Sequence, residues 1–160
     1  MRLVEESITL RDATAEDLPF LAELYRDTRR EEVAGWGWPQ AQQEQFLRMQ
    51  FDAQRRSYGI SFPDSVDHIV YLEDMPVGHL LVGREEAALR LIDIALLREH
   101  RNLGIGTLLL RDLLKDCQLK GCDLRLQVLQ GNPAMRLYQR LGFRQTESDF
   151  VYVQMKWSPE

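Results

Sequence analysis

The most chemically pointed stretch of this sequence is Arg101-Asn102-Leu103-Gly104-Ile105-Gly106, an arginine and two glycines spaced Arg-x-x-Gly-x-Gly. An apolar run with strand character, Leu91-Ile92-Asp93-Ile94-Ala95-Leu96-Leu97, precedes it, and a helical run from Thr107 to Cys117 follows. A strand feeding a helix through glycines leaves backbone N–H groups free at the helix N-terminus. The helix dipole stands behind them and an arginine beside them, an arrangement that binds phosphate. Glycine suits the loop twice over. It tolerates positive φ, and without a Cβ it lets a ligand lie against the backbone.

The competing phosphate loops can be tested on the letters. A P-loop needs Gly-x-x-x-x-Gly-Lys-Ser/Thr, and the chain has no such run. The dinucleotide fingerprint needs a third glycine or alanine where Leu109 stands, and an acid at the far end of the next strand, whereas Asp123 sits at its start. What remains is Arg/Gln-x-x-Gly-x-Gly/Ala after a strand. In this the chain resembles the GNAT superfamily of N-acetyltransferases, of bacterial single-domain type. A second matching stretch, Asn132-Pro133-Ala134-Met135-Arg136-Leu137-Tyr138-Gln139-Arg140-Leu141-Gly142-Phe143, resembles that family's other coenzyme-side motif. The likeness is specific from Leu89 to Phe143 and only general before it.

The resemblance implies acetyl-CoA as co-substrate and no metal. It assigns the pyrophosphate to Arg101, Asn102, Leu103, Gly104, Ile105, Gly106 and Thr107. The pantetheine arm falls to the main chain of Ile94, Ala95 and Leu96, on a strand that in the family bulges away from its neighbour. Asn132 matches a position that often bonds the same arm, and it serves equally as a helix cap. Tyr138 matches the tyrosine that commonly protonates the leaving sulfur, with a core tyrosine as the alternative. Two departures stand out. Arg98 occupies a place where proline is frequent, and Asn102 replaces a common glycine.

Amide formation from a thioester needs an amine in neutral form, donors for the developing oxyanion and a proton for the leaving thiolate. For the base, Asp93 is the ionisable residue inside the apolar run, and apolar neighbours would raise its pKa toward a useful value. Glu31, Glu32 and a water relay compete with it, since Arg90 stands where the family often has an acid. The Glu31-Glu32…Trp36-Gly37-Trp38 segment could form a wall of the acceptor site. Alternatively, both indoles simply cover the core from outside. His68 and His79 are expected at surface or core-edge positions, and His100 as a flank of the phosphate loop.

The elements that must position these groups can be read in order. Residues 8–11 suit a short strand at a sheet edge. A helix then starts either at Thr14, with Asp17 reaching back, or at Asp17, with Pro19 in its first turn. Leu18, Leu21, Ala22 and Tyr25 are its inner face, and it ends near Arg29–Arg30. Gln40 to Tyr58 makes a longer helix with rows at Phe46, Met49, Ala53 and at Leu47, Phe51, Gln54, Tyr58. Strands over 68–73, 77–84 and 89–97 form a meander, followed by the loop, its helix closing at Gly121, and a parallel strand over 123–129. A short helix at Asn132-Pro133 and a final hairpin complete the chain.

With 160 residues, 44% of them hydrophobic, the chain supports a single domain over 1–160. A net charge of −5 disfavours nucleic acid as a partner. No apolar run suggests a membrane span or a signal peptide, and Cys117 and Cys122 have neither disulfide-framework nor zinc spacing, so a reduced cytoplasm is the expected setting. The expected fold is α+β: a mixed, mostly antiparallel sheet of six to seven strands with about four helices, in the order β-α-α-β-β-β-α-β-α-β-β. The expected activity is direct acetyl transfer to a primary amine of a small molecule, peptide or protein. A coenzyme-binding regulatory module and a dinucleotide domain are the other classes. A homodimer paired through a strand ending in Val153, Met155 and Trp157 is a further expectation.

Overall fold

The structure is a computed structural model and describes residues 2–5, for their backbone, and 7–160. Its strands are β1 (Arg2–Glu5), β2 (Ile8–Asp12), β3 (Val66–Leu72), β4 (Met75–Glu85), β5 (Ala88–Leu96), β6 (Asp123–Leu129), β7 (Arg144–Ser148) and β8 (Tyr152–Trp157). Its helices are α1 (Leu18–Ala34), α2 (Gln40–Ser61), α3 (Ile105–Lys120) and α4 (Ala134–Arg140). These strands join one sheet in the order β1-β2-β3-β4-β5-β6-β8-β7. The mixed, mostly antiparallel architecture is the one expected, with β1 as an added strand. Among the described residues only β5–β6 is parallel, because the α3 crossover must return the chain in the same direction.

Alternation along the strands divides the core in two. On one face, Val70, Leu80, Leu91, Leu124 and Leu126 bury against Ile105, Leu109, Leu110, Leu113 and Cys117 of α3. A fully buried leucine contributes roughly 1.5–3 kcal/mol, so this row accounts for why α3 forms where it does. On the other face, Ile69 packs under Leu21, Ala22 and Phe51 of α1 and α2.

Several local expectations need correcting. Leu18 is exposed and Leu24 is buried in its place, and Met49 is exposed while Leu47 and Phe51 face inward. Tertiary packing chooses between the adjacent helical rows. Helix α1 runs on to Ala34, stopping at Gly35. Both start signals are used at once: the Thr14 N–H donates to the Asp17 carboxylate at 2.8 Å, and Pro19 lies in the first turn. Strand β2 is one place in from the edge, since β1 lies outside it. Strand β8 is not an edge either. It lies between β6 and β7 with Val153 and Met155 in the core, so the edge is β7, whose five residues are all exposed.

Candidate functional site

The site begins with a fault in the sheet. Leu81 pairs with Asp93 and Val82 with Leu91, so Ile92 is an extra residue on β5, a β-bulge. Two consequences follow. Gly83 faces Arg90 and Leu81 faces Asp93, two apart on β4, so the bulge turns Arg90 and Asp93 to the same face although they are three apart in sequence. Beyond Leu91, β5 also has no ladder partner on β6, whose remaining residues pair only with β8. The strands splay and open a cleft of about 1080 Å³.

Backbone groups line the opened edge. The Leu97 N–H donates to the Val77 carbonyl of β4, so by alternation the N–H and C=O of Leu96 and Ile94 point away from β4. The Leu96 carbonyl accepts the Arg101 Nε at 3.0 Å, which ties the arginine of the loop to the strand end. That leaves the Ile94 N–H and carbonyl directed into the cleft, available to an extended ligand. Ala95 directs its backbone to β4, and its side chain lines a smaller pocket beside the cleft.

The loop then turns into α3. Asn102 and Gly104 hold positive φ, 61° and 86°, which brings the chain round in a tight bend. The first ladder bond of α3 runs from the Leu108 N–H to the Gly104 carbonyl at 3.1 Å, and among the described residues no side chain caps the helix. The amides of Ile105, Gly106 and Thr107 are therefore unspent. A Cβ at Gly104 or at Gly106 would meet no protein atom within 4 Å. At Gly106 φ is not positive, so neither backbone conformation nor packing requires glycine there. The space a Cβ would fill is open to a ligand, and a pyrophosphate suits it in size and charge.

On the far wall stand Asn132 and Tyr138. The Asn132 Oδ1 accepts the Ala134 N–H at 2.9 Å, so it does cap the turn into α4, with its amide nitrogen left over for a ligand. Tyr138 is buried, its ring tilted on Phe143 at 5.7 Å, and it lines the cleft. Burial first, and the charge of Asp93 second, raise the Tyr138 phenol above its usual range, so it holds a proton that it can give.

Asp93 lines both the cleft and the smaller pocket, and so does Gln54 of α2. The Asp93 carboxylate is not surrounded by apolar groups as the strand pattern suggested. Its Oδ2 lies 3.0 Å from His79 Nε2. His79 Nδ1 lies 2.9 Å from Asp67 Oδ1, and Arg55 donates to Asp67 Oδ2 at 2.6 Å. His79 is buried between β3 and β5, not at the surface or the core edge, and sequence patterning missed it. Burial works against a charged ring, but the hydrogen bonds to Asp67 and Asp93 outweigh it, and the His79 pKa is pushed up to about 9. Asp67 shows the mirror balance: burial pushes it up, and His79 and Arg55 hold it below the carboxylate range. Tyr25 and Tyr58 stand nearby, their phenols raised mainly by burial.

The remaining predicted residues lie elsewhere. Glu31 pairs with Arg98 at 3.0 Å, and Glu32 with Arg29 at 3.8 Å. The Arg98 amide also donates to Asp27, so backbone and side chain of Arg98 both dock α1 beside the loop. Trp36, Trp38 and Phe46 form an edge-to-face cluster at the corner of α1 and α2. None of Glu31, Glu32, Trp36 and Trp38 lines the cleft or the smaller pocket. Among the described residues, no cluster of His, Cys, Asp or Glu could hold a metal, and no helix is long and apolar enough to cross a membrane.

The sequence matches the acetyltransferase (GNAT) family across residues 18–143. No curated protein sequence matches the chain. Among solved structures, the PaiA N-acetyltransferase from Thermoplasma acidophilum in complex with coenzyme A is similar, with a TM-score of 0.72 at 22% identity over 95% of this chain and 99% of that one. An acetyltransferase from Thermus thermophilus gives 0.69 at 21%, over 95% and 97%. The ribosomal-protein-S18-alanine N-acetyltransferase from Escherichia coli gives 0.62 at 18%, over 94% and 93%. At these identities the likeness is one of fold.

Proposed function

The chain belongs to the acetyltransferase (GNAT) family, and from that premise we propose that it moves the acetyl group of acetyl-CoA directly to a primary amine of a small molecule, a peptide or a protein. The observation that supports this best is the cleft between β5 and β6. Arg101, Asn102, Asp93 and Tyr138 all line it. When bound, the coenzyme supplies an activated acyl carbon and a thiolate leaving group. The amides of residues 105–107 would hold its pyrophosphate, the Ile94 backbone its amide-bearing arm, and Asn132 the same arm from the opposite wall.

Tyr138 gives a proton to the leaving sulfur as the carbon–sulfur bond breaks and recovers the proton shed by the amide-forming nitrogen, and its raised pKa keeps the phenolic proton in place until it is needed. Asp93 takes the proton of the incoming ammonium, at the junction of the coenzyme cleft and the smaller pocket. The acceptor enters between α2 and the sheet, past Gln54, Ser57, Tyr58 and Phe62. Partial alignment of the reactants within such a cleft accounts for much of the rate of an acyl transfer that needs no covalent enzyme intermediate.

Thermal unfolding with acetyl-CoA, CoA or NAD in excess tests the coenzyme. A ligand at about a hundred times its dissociation constant adds roughly 2.7 kcal/mol, a shift of a few degrees. Acetyl-CoA and CoA are expected to give it, and NAD is not. Thiol release across an amine panel then tests transfer. Binding with no turnover on any amine would leave a coenzyme-binding module, and no binding would sink the reading altogether.

A further inference from the structure

Acetyl transfer as proposed uses Asp93 but not the buried groups behind it. His79 presents both ring nitrogens to carboxylate oxygens, Nδ1 to Asp67 at 2.9 Å and Nε2 to Asp93 at 3.0 Å. A neutral imidazole has one donor and one lone pair, so one of these contacts would set a lone pair against an anionic oxygen. Both nitrogens therefore carry protons, and the ring is an imidazolium. Arg55 of α2 closes the far end on Asp67. Two cations and two carboxylates alternate from α2 through β3 and β4 to β5, and only the Asp93 end, with about a third of its side chain exposed, reaches the cleft.

We propose that His79 is a positioning residue: clamped by Asp67, it fixes the Asp93 carboxylate at the junction of cleft and pocket, where it meets the acceptor's ammonium. This rests on the proposed acetyl transfer. The amine's proton passes to the free Asp93 oxygen and then to solvent through the cleft, and the neutral amine attacks. His79 transfers no proton, because it already carries both. The other charged or titratable groups near the ring are Asp67 on β3, Arg55 on α2 and Tyr25 on α1, with Arg29 over the Tyr25 ring, while Tyr58 of α2 interacts with Asp93. Burial raises both tyrosine phenols, so the two carboxylates hydrogen-bonded to the ring, Asp67 and Asp93, set its charge state, with Arg55 holding Asp67 from behind.

His79→Gln provides the first test. The acceptor kcat/KM is expected to fall by roughly tenfold to a hundredfold, short of what removing a base itself costs. The acid limb of its pH profile moves to higher pH, while the acetyl-CoA-induced thermal shift persists. A profile superimposable on that of the wild type overturns the proposal while leaving the acetyltransferase reading intact. Loss of acetyl-CoA binding or turnover in the wild-type chain would overturn that reading instead. Because a buried substitution can prevent folding, nitrogen NMR of the wild-type ring is the second test. Both His79 nitrogens should remain protonated at pH 7.5, and Asp93→Asn should lower the titration midpoint. A neutral tautomer at pH 7.5 would refute the clamp directly.

Discussion

The proposed coenzyme side and the proposed acceptor side of this cleft are built from different materials. The coenzyme side is mostly main chain: the Ile94 peptide groups, the amides of residues 105–107 and the open space over Gly106. Its side chains are few: Arg101 and Asn102 in the loop and Asn132 on the facing wall. The acceptor side is made of side chains brought from five elements, Tyr25 from α1, Gln54 and Arg55 from α2, Asp67 from β3, His79 from β4 and Asp93 from β5. Main-chain recognition demands glycine and a strand-to-helix turn, so it leaves a spacing in the sequence. Side-chain recognition assembled across a sheet leaves none.

Four experiments break or sharpen that contrast. The largest effect is expected at the main-chain site. Gly106→Val should remove the acetyl-CoA thermal shift of a few degrees while the protein stays folded, since its Cβ meets only open space. Gly104→Val should do the same, but its positive φ adds strain of about 1–2 kcal/mol. Normal acetyl-CoA binding by Gly106→Val would remove the phosphate loop from the coenzyme side.

Next come the reacting groups. Asp93→Asn is expected to lower kcat by on the order of 10²–10⁴ and Tyr138→Phe by roughly 10². In both, the acetyl-CoA affinity should be nearly unchanged. Steady-state kinetics beside a thermal-shift titration would check this, and unchanged turnover in Tyr138→Phe would return that ring to the core.

A smaller effect concerns stability. The folded His79 pKa of about 9 lies above the ordinary 6.5, so its contribution is complete below about 6.5 and is lost as pH rises through 9. Asp67, held low, contributes above its ordinary 3.8 and loses that contribution as pH falls through its folded value. Each pKa unit corresponds to about 1.4 kcal/mol. The unfolding midpoint should therefore fall between pH 7 and pH 9.5, and His79→Gln should flatten that decline. An equal slope in both proteins would argue against a charged ring. The smallest effect is expected at Trp36→Ala, which should leave the acceptor KM within roughly twofold because the indole lines neither pocket. A large KM change would extend the acceptor site to the α1–α2 corner.

The legibility of the chain follows the same division. Gly104 could be picked out because a turn imposes a local rule on residue type and Asn132 because a cap does, while Gly106 and Tyr138 stood out through their match to the family's motifs. The corner Trp36-Gly37-Trp38 was also conspicuous, but its rings satisfy one another and Phe46, so a strong compositional signal carried no information about position relative to the cleft. His79 gave the opposite lesson. A single histidine in an apolar strand looks unremarkable, and only pairing β4 between β3 and β5 sets it between two carboxylates.

By itself, the sequence determined the strand-loop-helix turn at Gly104, the α3 crossover and the parallel β5–β6 pair, because each depends on neighbours within a few residues or on a handedness rule. Only the tertiary structure decided that the outermost strand is β1 and not β2, that β8 is interior, and that Asp93 is backed by His79, Asp67 and Arg55. Those outcomes depend on which strands pair and in what register. The bulge at Ile92 turns Asp93 and Arg90 to one face and parts β5 from β6. A one-residue slip in pairing moves every side chain to the opposite face, so no local pattern could have placed them.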